Sequence, residues 1–216
     1  MGTKNRQPYR FEATTIDGFV QQLAVCYVTH GYWFYVTGII PEGKDPRAVD
    51  EKLLKKYGID ISKWTRARRK AAGYANIHYL RHERFFVLIA TKGKGDFFDA
   101  ERSRLKDIRH TPLKFGSYAI SYRNGHASVR IEQQTFRDLK AYFEDIAVKR
   151  SGNAVATALG SLPFEAYAPI RSQFALLLRT VNRKRSEAGL LPVSETCLSM
   201  RRRSIKPFAK ADPFEG

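Results

Sequence analysis

The pair Asn124-Gly125 lies at the centre of residues 117–132, SYAISYRNGHASVRIE, and constrains this chain more tightly than any other feature. A two-residue type I′ turn needs positive φ at both central positions, which asparagine and glycine tolerate best. With the turn there, Arg123 faces His126 and the pairing runs outward from it. Tyr118, Ile120, Tyr122, Ala127, Val129 and Ile131 then share one face. Ser117, Ala119, Ser121, Arg123, His126, Ser128, Arg130 and Glu132 share the other. A slip of one residue would exchange these faces, so turn chemistry and side-chain pattern specify one register.

Other segments read from the same two periods. Residues 32–40, YWFYVTGII, are aromatic and β-branched and are closed by Pro41 and Gly43, which predicts a strand. Residues 74–80 and 85–91 form a second predicted hairpin, with residues 81–84 as its turn. Its second arm, FFVLIAT, is apolar on both faces and is therefore central. Helices are expected over residues 16–29, with Asp17 as a candidate N-cap, and from Pro46 to Tyr57 behind Asp45. Further helices are expected after Ser62, over 97–106, over 135–148 behind a Thr135/Asp138 capping box, and from Pro169 to Ala188. The small-residue stretch 151–161, SGNAVATALGS, reads as a linker.

This order predicts an α+β fold with an antiparallel sheet of about five strands backed by helices. At the level of architecture it is similar to the ferredoxin-like palm, and architecture alone does not assign function. The linker divides the expected α+β core, 1–150, from a basic helical C-terminal extension, 151–216.

Charge bounds the function. Lys and Arg number 38 against 21 Asp and Glu, a formal +17. Compact folding crowds these cations together, and a polyanion relieves the repulsion while releasing its condensed counterions. The apolar share of 43% suffices for a core and argues against wholesale disorder. No apolar run is long enough for a membrane span, and residues 1–7 lead into no signal-peptide core. Cys26 and Cys197 stand far apart and suggest neither a disulfide framework nor a metal site, so a cytoplasmic setting is expected.

Three basic surfaces are candidates for phosphate contact. Lys63, Trp64, Arg66, Arg69 and Lys70 crowd one predicted helix, with Lys63, Arg66 and Lys70 along one side and Arg69 beside them. Separately, Lys92 and Lys94 on the glycine loop after the second hairpin offer two cations to one phosphate. Trp64 offers a ring on which an unpaired base can stack. Arg123, His126 and Arg130 share the polar face of the Asn124-Gly125 hairpin. Arg179, Arg183, Lys184, Arg185, Arg201, Arg202, Arg203 and Lys206 gather near the C-terminus. Binding to the phosphate backbone of RNA or single-stranded DNA is the leading expectation, in replication, transposition or RNA handling.

Evidence for chemistry is thinner. Asp96, Asp99, Glu101 and Asp107 are the one acidic cluster in a basic neighbourhood. Asp96, Asp99 and Glu101 are the candidate Mg²⁺ ligands of an alternative reading, a metal-dependent nuclease or initiator-like enzyme acting on nucleic acid. Acids at a helix start also simply suit its dipole. His78 and His82 stand four apart, with His82 expected in a turn, and no His-x-His occurs. Tyr142 and Tyr167 read as packing residues, and Lys92-Gly93-Lys94-Gly95 lacks the frame of a Walker loop. No cofactor is expected outside the nuclease alternative. A third reading is a basic scaffold that docks an acidic protein partner.

Overall fold

Strand β1 (Tyr32–Ile39) is the spine of the first of two antiparallel sheets in the computed structural model, which describes residues 9–198, 201 and 205–208. With β2 (Ile77–His82), β3 (Phe85–Thr91) and β4 (Lys106–Asp107) it forms the order β2-β3-β1-β4. The second sheet is β5 (Leu113–Phe115), β6 (Tyr118–Arg123) and β7 (His126–Ile131). The fold is therefore α+β, but the expected single sheet of about five strands is two sheets, of four and three. Both β4 and β5 are too short to carry a readable period, and β5 gives the hairpin a partner of its own.

The chain groups into two compact units. Of the described residues, one gathers 9–112, 121–127 and 205–208, and the other gathers 113–120, 128–198 and 201.

In the first unit, α2 (Pro46–Lys56) and α4 (Asp96–Ala100) supply apolar side chains to one core. Val36, Ile77, Tyr79, Phe86, Leu88 and Ala90 from the sheet meet Tyr57, Ile59 and Phe97 there. Residues 16–30 begin as α1 (Ile16–Gln21), widen into a π-helix (Gln22–Tyr27) and tighten into a 3₁₀ turn (Val28–His30). Their N-cap is Thr15, whose Oγ1 accepts from Gly18 N, rather than Asp17. Edge strand β2 is covered by residues 11–13: Arg81 N donates to Phe11 O and Ala13 N to Arg81 O, each at 2.7 Å. That contact satisfies backbone groups that an open edge would expose.

The hairpin β2–β3 turns through Glu83 and Arg84 alone, so His82 lies on the strand. Glu83 takes a left-handed φ of 51°, and Arg84 anchors the turn by donating to Ile40 O and Pro41 O. Arg81, on the same strand, is buried against Asp50, with Nε 2.9 Å from Oδ1. Tyr79 Oη donates to the same carboxylate at 2.5 Å, and Glu12 lies 3.0 Å from the other side of the guanidinium. The helix expected over 97–106 stops at Ala100 and gives way to a turn and β4.

Around the Asn124-Gly125 turn the expected register holds. Asn124 has φ 50° and Gly125 φ 85°, and Glu132 N donates to Ser117 O at 2.8 Å. Tyr118, Ile120, Val129 and Ile131 are buried. In the second unit, α5 (Gln133–Lys149) packs Phe143, Ile146 and Ala147 against the side of α7 (Ala168–Glu187) bearing Phe174, Leu177 and Val181. The N-cap of α5 is Glu132, accepting from Gln134 N and Thr135 N, not the Thr135/Asp138 box. Asp138 instead accepts from the Gln134 side chain.

The stretch expected to be a linker is helix α6 (Gly152–Gly160), capped by Ser151 Oγ. Its alanines favour helix, and Val155 and Leu159, four apart, are both fully buried. Among the described residues no helix is long and apolar enough to cross a membrane.

Candidate functional site

The first basic candidate is helix α3 (Lys63–Ala71). Ser62 starts it, with Oγ accepting from Thr65 N at 3.0 Å, and Gly73 follows its end at φ 79°. No residue of this helix is buried. Thr65, Arg66 and Arg69 form its inner side, half-buried, while Lys63, Trp64, Arg68 and Lys70 face solvent.

Trp64 retains 69% of its surface, so it is not a core residue. The guanidinium of Arg68 lies 4.3 Å from its ring centre. Arg66, expected in line with Lys63 and Lys70, is turned inward. Its Nη2 donates to Ile59 O at 3.1 Å, and its guanidinium sits 5.7 Å from the Tyr9 ring. Among the described residues, Lys63, Arg68, Arg69 and Lys70 have no carboxylate within ion-pair distance.

The glycine loop is tied to the end of this helix. Lys94 N donates to Gly73 O and Ala75 N to Lys94 O, each at 2.9 Å. A Cβ on Gly93 would stand 2.4 Å from Ala75 N, so only glycine permits this approach. Lys92 and Lys94 are both exposed, and Tyr74, half exposed, lies between helix and loop.

The other basic candidates differ in how freely their charges stand. Arg123, His126 and Arg130 are exposed on the β6–β7 hairpin. On α7, Arg183 pairs with Glu187 at 2.8 Å and Lys184 with the same carboxylate at 3.6 Å. Arg179 is exposed, its Nε donating to Ala175 O. Arg185 is buried and donates to the carbonyls of Ala147, Arg150 and Leu191, so it closes a packing junction. Arg201 and Lys206 are exposed, while Arg202 and Arg203 lie outside the described residues.

The acidic candidates do not converge. Glu101 is buried, accepts from Tyr57 Oη, and pairs with Arg104 at 2.9 Å and Lys56 at 3.6 Å. Burial and this carboxylate both push the Tyr57 hydroxyl up. Asp96 and Asp99 are exposed on α4, and Asp107 holds Arg109 through both oxygens. Among the described residues no group of three or more His, Cys, Asp or Glu is placed to hold a metal ion.

His78 and His82 each have a protein partner. His78 Nδ1 lies 2.9 Å from Tyr9 Oη, and its ring stacks on Tyr27 at 4.5 Å. His82 Nδ1 lies 2.9 Å from Ala13 O.

Sequence reasoning missed one aromatic site. Trp33 is flanked by Arg109, 4.5 Å from its ring centre, and by Tyr122 at 5.2 Å. Its partners lie more than seventy positions along the chain, and no local period reports them. No protein-family model matches the chain, and no curated protein matches it at a significant level.

Proposed function

We propose that the first unit binds single-stranded nucleic acid, RNA or DNA, along α3 and the 92–95 loop. The observation that carries this reading is Trp64. A large aromatic ring that gives up burial in a core, beside cations with no carboxylate partner, is suited to base stacking over a phosphate-tracking surface. Lys63, Arg68 and Lys70 contact phosphates on this reading, and Arg66 holds the helix to its support. A duplex keeps its bases stacked on one another and offers Trp64 no free face.

Binding of labelled single-stranded RNA, single-stranded DNA and duplex DNA across a salt series tests the reading. Log affinity for single strands falls linearly with log salt, and duplex binds more weakly. A flat salt response, or indifference to every strand offered, rejects it.

A further inference from the structure

Beneath the exposed surface of α3 lies a cavity of about 90 Å³ whose lining includes Lys56 of α2, Arg69 of α3 and Lys94 of the glycine loop. Its wall is completed by Tyr57, Ile77 and Phe97 from the core and by Gly95 and Asp96. Three cations against one exposed carboxylate leave the cavity positive. Lys56 shares its charge with Glu101 at 3.6 Å, whereas Arg69 and Lys94 have no ion-pair partner among the described residues. A half-buried arginine without a carboxylate is costly to hold, and an anion in the cavity relieves that cost.

Size narrows the ligand. Pockets for whole small molecules span about 300–1,000 Å³, so this one admits a group rather than a nucleoside. An internal phosphodiester carries one negative charge and must leave in two directions along the strand. A phosphate monoester carries close to two charges, offers three free oxygens, and leaves by a single ester bond. It matches a cavity lined by three cations.

We infer that the Lys56–Arg69–Lys94 cavity seats the terminal phosphate of a nucleic-acid strand whose following bases run over Trp64. This assignment rests on the proposed single-strand binding and adds an end preference to it.

The test compares one single-stranded oligonucleotide with a 5′-phosphate, a 3′-phosphate or hydroxyls at both ends, on the full chain, its Lys94→Gln variant and its Arg69→Gln variant. Thermal melts establish that each variant is folded. The expected result is at least tenfold tighter binding of one phosphorylated form, with the preference reduced to less than threefold in Lys94→Gln. The stronger of the two phosphorylated forms identifies which end is read. Arg69→Gln gives the same loss, and if it unfolds, Lys94→Gln carries the test alone because Lys94 is exposed. Equal affinity for phosphorylated and hydroxyl strands overturns the phosphate seat and leaves strand binding intact. A preference that survives Lys94→Gln also overturns it. Failure of every strand to bind removes both this inference and the reading beneath it.

Discussion

The guanidinium of Arg68 lies over the ring of Trp64, 4.3 Å from its centre, on the side of α3 that faces solvent among the described residues. A cation over the ring is attracted by its π face, and the 69% of Trp64 that stays exposed leaves surface on which a base can stack. Trp64→Ala is expected to weaken single-strand binding by about five- to a hundredfold, since base–aromatic stacking contributes about 1–3 kcal/mol. The melting temperature should stay within a degree or two, because the side chain is largely exposed. Equal affinities in a titration of the two proteins would refute the stacking role.

Phosphate contacts leave a separate signature in salt. Each one lost from a single-strand complex reduces the log–log slope by about 0.7. Replacing Lys63, Arg68 and Lys70 together by Gln should therefore lower the slope by about 2. Binding isotherms at four salt concentrations check this, and an unchanged slope would place the contacts elsewhere.

His78 makes stability depend on pH. Burial, followed by the charge of Arg66, pushes its imidazole down to about 3 from an ordinary 6.5. The folded protein thus keeps His78 neutral where the unfolded chain would protonate it. The stabilisation is complete above about pH 6.5 and is lost as pH falls toward 3, at up to about 1.4 kcal/mol per pH unit. Between pH 6.5 and 5 the loss should reach about 1.6 kcal/mol. His78→Phe retains a ring between Tyr9 and Tyr27 but has no proton to gain, so its urea midpoint should fall less over that interval. Parallel curves for the two proteins would show that His78 is not the group involved.

The buried pair Arg81–Asp50 is a second stability element. Asp50 is pushed up by burial, an effect opposed by the Tyr79 hydroxyl and by Arg81. Asp50→Ala leaves a guanidinium that is only 3% exposed with the exposed Glu12 as its remaining carboxylate, and should cost about 3 kcal/mol. The double variant Asp50→Leu, Arg81→Met removes both charges and should cost less than the single one. Denaturant unfolding of both proteins decides, and a double variant weaker than Asp50→Ala would contradict the account.

Gly93 controls the position of the Lys92 and Lys94 loop. An added methyl would meet Ala75 N at 2.4 Å, so Gly93→Ala must move the backbone that carries the Lys94–Gly73 and Lys94–Ala75 hydrogen bonds. Destabilisation of about 1–3 kcal/mol is expected, as for other overpacked sites. Faster hydrogen exchange at the Ala75 amide is the direct readout, and unaltered exchange would show that the loop adapts freely.

Local chemistry determined a definite part of this protein. The Asn124-Gly125 turn and its register, the caps at Asp45 and Ser62, and the excess of cations all follow from residues within a few positions of one another, or from composition. Tertiary structure decided the rest. It turned Arg66 inward, committed Glu101 to Tyr57 and Arg104, buried Arg185 against three carbonyls, and left Trp64 outside. It also divided the strands between two sheets and brought Lys56, Arg69 and Lys94 to one cavity. The physical reason is range. Turns and caps are closed by bonds spanning two to four residues, whereas an arginine's role depends on whether a carbonyl, a carboxylate or solvent meets it, and the folded chain brings that partner from far along the sequence.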